Sequence, residues 1–151
     1  MTTNKEYALF DRNTLAIVYG LQTDAIQRML DFDYICRRKM PSVTAIVNTT
    51  RDGWHKCFYG SEEILIPMYK TLRQAAERHP HADVLVNFAS FRSAYAATKE
   101  ALETETLRTV AVIAEGIPER YSRELAILAK KKGKWIIGPA TVGGLAAGAF
   151  T

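Results

Sequence analysis

Ser90-Phe91-Arg92-Ser93 is a short run well equipped to hold an anion. It follows an apolar stretch that suits a strand and opens a stretch with helical spacing, so hydroxyls, helix-start amides and a guanidinium would face one ligand. Gly20-Leu21-Gln22-Thr23 is a second such turn, with Gly20 for the bend and Gln22 and Thr23 as donors to a phosphate at a helix start. Glu115, just before Gly116, is a carboxylate suited to orienting a cationic imidazole or managing a proton, the one catalytic candidate in the chain. The run from Gly138 and Pro139 through Thr141 to Gly144 offers close backbone approach with Thr141 as a donor. Each segment also has a plain structural reading. Gly20 suits a tight turn, Ser90 or Glu115 a helix cap, and the run after Gly138 a flexible exit.

The elements that must position these residues are legible from periodicity. Short apolar runs alternate with segments whose apolar residues recur at three and four, the signal of repeated βα units. Strands are expected at 15–19, 43–47, 64–69, 84–88, 110–114 and 135–137. Ala25, Ile26, Met29 and Leu30 mark the buried face of a first helix, Leu72, Ala75 and Ala76 a second ending before Pro80, and Ala94, Ala97, Thr98, Ala101 and Leu102 a third. Tyr121, Leu125, Leu128 and Ala129 mark the fourth, with Pro118 in its first turn and Gly133 ending it. Residues 48–60 read as an irregular, Gly-bearing loop, and Pro67 places the 64–69 strand at the sheet edge. Strands apolar on both faces imply an α/β fold, Rossmann-like and doubly wound, with a mainly parallel sheet. In such a sheet ligands bind beyond the carboxyl ends of the strands, which would bring the candidate turns and residues 48–53 to one rim.

The same residues exclude several classes of function. A nicotinamide dinucleotide fold shows Gly-x-Gly-x-x-Gly in the first turn and an acid after the second strand, whereas Gly20 is followed by Leu21-Gln22-Thr23-Asp24-Ala25 and the second strand ends in Asn48. Twenty Lys and Arg against 16 Asp and Glu leave a net charge of +4 with no basic stripe interleaved with aromatics, so nucleic acid is not the expected partner. Arg37-Arg38-Lys39, ahead of the second strand, is an alternative contact for a nucleotide phosphate, and Lys130 to Lys132 suit a helix carboxyl end. His55, His79 and His81 read as surface residues, and no cluster completes a metal site. No apolar run approaches the ~20 residues that cross a bilayer, so no membrane association is expected. Cys36 and Cys57 form no Cys-x-x-Cys, and a reducing, cytoplasmic setting is the simplest expectation. At 151 residues, with 48% hydrophobic and 24% charged, the chain fits one domain, residues 1–151.

Ile113-Ala114-Glu115-Gly116-Ile117-Pro118-Glu119, together with Ile136-Ile137-Gly138-Pro139-Ala140-Thr141-Val142-Gly143-Gly144, resembles the coenzyme A-binding domain shared by succinyl-CoA synthetase α subunits and ATP-citrate lyase. The citrate branch fits better, since Tyr19-Gly20-Leu21-Gln22-Thr23, Leu30-Asp31-Phe32-Asp33-Tyr34, Glu63-Ile64-Leu65-Ile66-Pro67 and the Asn87 to Tyr95 segment are also similar to it. The resemblance implies that Ser90, Phe91, Arg92 and Ser93 contact coenzyme A and that Gly20, Gln22 and Thr23 hold its phosphate region. By the same implication Glu115 faces a phosphohistidine, and Gly138, Pro139 and Thr141 border that chamber. It further implies that ATP phosphorylates a histidine, that citrate takes up the phosphoryl group, and that coenzyme A attacks citryl phosphate to give citryl-CoA, later cleaved to acetyl-CoA and oxaloacetate. Residues 48–52 depart from the aromatic pattern of the animal enzymes, so the resemblance implies no adenine contact there. The family continues past the position of Thr151 into a phosphohistidine domain, with ATP-grasp and citrate-synthase-like parts. The chain is therefore expected to be one part of a longer enzyme, binding coenzyme A and leaving ATP and Mg to those other parts. A succinyl-CoA ligase α-type domain and a stand-alone regulatory CoA-binding module are the alternatives.

Overall fold

The computed structural model describes residues 10–140 and 150. The elements run β1 (Ala16–Tyr19), α1 (Thr23–Ile35), β2 (Val43–Val47), β3 (Gly53–Tyr59), β4 (Glu62–Tyr69), α2 (Leu72–Arg78), β5 (Val84–Asn87), α3 (Phe91–Glu103), β6 (Thr109–Val112), α4 (Glu119–Lys132) and β7 (Trp135–Ile137). They build one seven-stranded sheet in the order β3-β4-β2-β1-β5-β6-β7. β3 is antiparallel to β4 and every other neighbouring pair is parallel. The expected doubly wound, mainly parallel α/β fold is therefore the observed one.

Alternation along the central strands divides the interior. Ile17, Val47, Leu85, Val110 and Val112 pack beneath α2, α3 and α4, with Leu72, Ala75, Ala94, Leu102 and Leu125 meeting them. Ala16, Val18, Ile46, Val84 and Val86 face the other way, against Ile26, Met29 and Leu30 of α1. Phe150 completes this second layer, stacked on Phe10 with ring centroids 4.8 Å apart. The enclosed Val, Leu, Ile, Met and Phe side chains each contribute ~1.5–3 kcal/mol of transfer free energy, and they fix which helix covers which face.

Three sequence expectations change. Residues 53–59, read as loop, form β3, whose residues pair with β4 from Gly53↔Met68 to Tyr59↔Glu62. Gly53 and Gly60 look like loop punctuation, yet both adopt positive φ, at 126° and 65°, and Gly60 is part of the tight connection of a hairpin. In consequence β3, and not β4, is the edge. Pro67 is accommodated because β4 pairs with β2 only at Met68 and Tyr69, the two residues after it. Pro118 caps α4 from outside, while Gly133 ends it in the left-handed region as expected.

The amino ends of the strands are closed by buried polar groups. Asp33 accepts 2.7 Å bonds from both the backbone N–H and the hydroxyl of Ser42, and burial still pushes its carboxyl pKa up. Arg38, also buried, donates to the carbonyl of Thr14 at 2.6 Å, tying the end of α1 to the start of β1. The histidines were expected at the surface, which holds for His81 only. His55 is half-buried, and so is His79, whose ring bridges the Thr44 hydroxyl (3.0 Å) and the Tyr69 hydroxyl (2.9 Å). Desolvation lowers the pKa of both His55 and His79.

Candidate functional site at the carboxyl rim of the sheet

A chain of backbone hydrogen bonds continues past the strands and sets their carboxyl-end turns side by side. Asn48 N–H donates to Tyr69 (2.8 Å), Gly20 to Val47 (2.8 Å), Phe88 to Tyr19 (2.9 Å), Ile113 to Asn87 (3.1 Å) and Ala140 to Ala114 (3.0 Å). The turns carrying Gly20, Ser90, Glu115 and Gly138 therefore lie along one edge, in the order of the strands that feed them. The order reverses between β1 and β5. From β1 the chain passes through α1 to β2 on one side, and it re-enters on the other side as β5. The Gly20 and Ser90 turns flank this switch point, the place where a doubly wound sheet opens a crevice.

Gly20 has φ +105°, and a Cβ built on it would stand 3.4 Å from the Phe88 Cβ. The backbone conformation is what favours glycine there, since the Phe88 contact is of ordinary van der Waals length. Gln22 is the N-cap of α1 but makes no side-chain cap bond, and Thr23 opens the helix; both are exposed. Ser90 is the N-cap of α3, extended at φ −60° and ψ 161°, and its hydroxyl caps nothing. Among the described residues its hydroxyl has one long contact, the Ser93 hydroxyl at 3.4 Å, and the Ser93 hydroxyl makes a 3.5 Å bond to the Ser90 carbonyl. Phe91, Arg92 and Ser93 are exposed, with the Arg92 guanidinium 5.7 Å from the centre of the Phe91 ring. The Ser93 N–H already donates to the Ser90 carbonyl at 3.0 Å, while the two hydroxyls and the guanidinium stand exposed beside the first amides of the helix, an arrangement that suits an anion. A cap role for Ser90, the plainer reading of the sequence, is not what the structure shows.

Glu115 is exposed in the next turn, and the Gly138 to Ala140 turn is held against that turn by the Ala140–Ala114 bond. Gly138 (φ 94°) and Ala140 (φ 60°) both take left-handed backbone, which turns the chain sharply beside Glu115. Thr141 and the small-residue run after it lie outside the described residues. Arg37-Arg38-Lys39 sits at the far pole, ahead of β2. A hollow of about 510 Å³ lies there, lined in part by Arg12, Leu15, Arg38 and Met40. Two of its three guanidinium groups serve the fold, Arg38 as above and Arg12 by donating to the carbonyls of Cys36 (2.9 Å) and Arg37 (3.2 Å) at the end of α1, while Arg37 is exposed. Among the described residues no group of three or more His, Cys, Asp or Glu suits a metal ion.

Sequence reasoning passed over the role of Asn87. It is wholly buried at the end of β5 and bonds the turn and helix that follow it. The signal was available, as the one polar residue in Val84-Leu85-Val86-Asn87.

A doubly wound domain of this kind brings its helix starts to the switch point, the place where such folds commonly take phosphate-bearing cofactors. Residues 11–116 match the model of the CoA binding domain family, and the chain belongs to that family. It is 52% identical over 145 residues to the probable ATP-citrate synthase subunit 1 of Schizosaccharomyces pombe, covering 95% of this chain and 24% of that protein. It is 53% identical over 147 residues to human ATP-citrate synthase, covering 97% of this chain and 13% of that protein. Among solved structures, ATP citrate lyase from Methanothrix soehngenii in complex with citrate and coenzyme A superposes with a TM-score of 0.96 at 62% identity, over 97% of this chain and 24% of that one. An acetyl-coenzyme A synthetase of Ca. Korarchaeum cryptofilum, at 18% identity and a TM-score of 0.60, shares the fold. The chain spans about a quarter or less of the length of these curated relatives.

Proposed function

We propose that this chain is the coenzyme A-binding domain of an ATP-citrate lyase, working in the cytoplasm as one part of a longer enzyme that makes citryl-CoA. The observation that carries the proposal is the cluster of unused donors at the β1–β5 switch point, in a chain 62% identical to an ATP citrate lyase whose structure was solved with citrate and coenzyme A. The identities of 52% and 53% to ATP-citrate synthases favour the citrate reading.

On this reading the amides at the start of α3, the hydroxyls of Ser90 and Ser93 and the Arg92 guanidinium hold phosphate oxygens of coenzyme A, with Phe91 beside Arg92. Gly20, Gln22 and Thr23 line the other wall of the crevice. Glu115 faces a phosphohistidine supplied by another domain, and Gly138, Pro139 and Thr141 border the reaction chamber. The thiol attacks the acyl carbon of citryl phosphate, forming the thioester bond as the C–O bond to phosphate breaks and inorganic phosphate leaves. This chain binds and aims the thiol substrate. ATP and Mg are handled by ATP-grasp and phosphohistidine parts, and a citrate-synthase-like part cleaves the citryl-CoA.

Isothermal titration of the chain with coenzyme A tests the proposal. Saturable binding at a single site is the expected result, and the absence of any binding at millimolar ligand would overturn it.

A further inference from the structure

Asn87 ends β5, a strand otherwise made of Val84, Leu85 and Val86, and its side chain has no solvent exposure. A primary amide enclosed in this way is costly unless its donors and acceptor are all satisfied. Here each is. Nδ2 donates to the carbonyl of Ala94 (3.2 Å) and to the Thr98 hydroxyl (3.0 Å), both on α3, while Oδ1 accepts from the backbone N–H of Ala89 (2.9 Å). One side chain therefore ties together the strand end, the turn leading into α3 and the second turn of that helix. Ser90, which occupies the N-cap, gives the helix backbone no side-chain cap bond. Ser90 to Ser93 are exposed, and the side-chain bonds among them are the long contacts at 3.4 and 3.5 Å.

We infer that Asn87 is a positioning residue for the anion clamp: it sets the pose of the 89–93 turn from beneath, so that the α3 amides, Arg92 and Ser93 converge on one phosphate. The inference rests on the proposed coenzyme A site. An apolar residue would fill the same space and bury the same area, but would leave the Ala89 N–H, the Thr98 hydroxyl and the pose of the turn unspecified.

The test compares coenzyme A affinity by calorimetry with thermal stability for Asn87→Asp, Thr98→Val and Leu102→Val, each at a temperature where circular dichroism shows it folded. Asn87→Asp keeps the acceptor for Ala89 but loses both donors. Thr98→Val removes one partner and keeps the volume. Leu102→Val loosens the far end of α3 without touching the turn. The expected result is an affinity about tenfold weaker for Asn87→Asp and a smaller loss for Thr98→Val, with Leu102→Val binding like the parent despite reduced stability. In a double-mutant cycle, Asn87→Asp and Arg92→Ala should be less than additive, because both act through one clamp. Parent-like affinity in folded Asn87→Asp, or additive effects in the cycle, would overturn the inference and leave the coenzyme A site standing. Should Asn87→Asp fail to fold, Thr98→Val decides, with parent-like affinity counting against the inference. A parent chain that does not bind coenzyme A removes the site and the inference together.

Discussion

α2 and α3 start in the same topological place, just after a strand that ends on the carboxyl rim, and each has a hydroxyl residue at its N-cap. Thr71 accepts a bond from the Gln74 N–H at 3.2 Å and so closes the start of α2. The Ser90 side chain makes no such bond; the equivalent Ser93 N–H donates instead to the Ser90 carbonyl at 3.0 Å, and the Ser90 hydroxyl is left off the helix-start amides. Residue type and position are nearly the same while the use differs, because Asn87 holds the α3 turn from below and no cap is needed to fix it. The rim is thus divided. On the β4 side the chain satisfies its own helix start, and around the switch point it leaves donors available. A helix-start donor left unused beside a guanidinium is available to a ligand; one already capped is not.

The largest effect that sharpens this contrast belongs to Arg92. Arg92→Ala should weaken coenzyme A binding by about 1–3 kcal/mol, the worth of one charge-assisted hydrogen bond to phosphate, while thermal stability stays level because the side chain is exposed. Calorimetry and a melting curve on the same sample read both, and unchanged affinity would return Arg92 to the solvated surface. Smaller and opposite effects are expected for the two caps. Thr71→Ala should lower stability by about 1 kcal/mol and leave coenzyme A affinity alone. Ser90→Ala should leave stability within a few tenths of a kcal/mol and weaken binding by about 1 kcal/mol, one neutral hydrogen bond. If Ser90→Ala destabilises the chain as Thr71→Ala does, the division of the rim is wrong.

Much of the fold was legible because its signals are local. Runs such as Val43–Val47 and Val84–Asn87 are short, apolar and separated by helical spacing, and that pattern gives a parallel sheet with its rim. β3 was not legible for an equally physical reason. An edge strand with one solvated face keeps Trp54, Lys56 and Phe58 exposed, so its sequence lacks the continuous apolar signal of the central strands. Its pairing depends on β4, and no local rule supplies that. The placing of Gly20, Ser90 and Arg92 on rim turns was readable because such turns share composition cues, namely glycine, hydroxyls and one guanidinium after a strand. Asn87 gave a weaker cue, one polar residue closing an apolar strand, and its role comes from what lies above it in three dimensions. The roles of Arg12 and Arg38 were hidden likewise. A basic run reads as a ligand contact, yet the Arg38 guanidinium is buried against the Thr14 carbonyl and Arg12 covers the carbonyls at the end of α1.

The most direct measurement is an amide chemical-shift map of the chain titrated with coenzyme A. The account predicts that the largest changes fall on Gly20, Thr23, Ala89 to Ser93 and Gly138, with Gln74 and the 37–40 segment at the opposite pole unmoved. Changes centred on Arg37 to Met40, with the Ser90 turn silent, would contradict it.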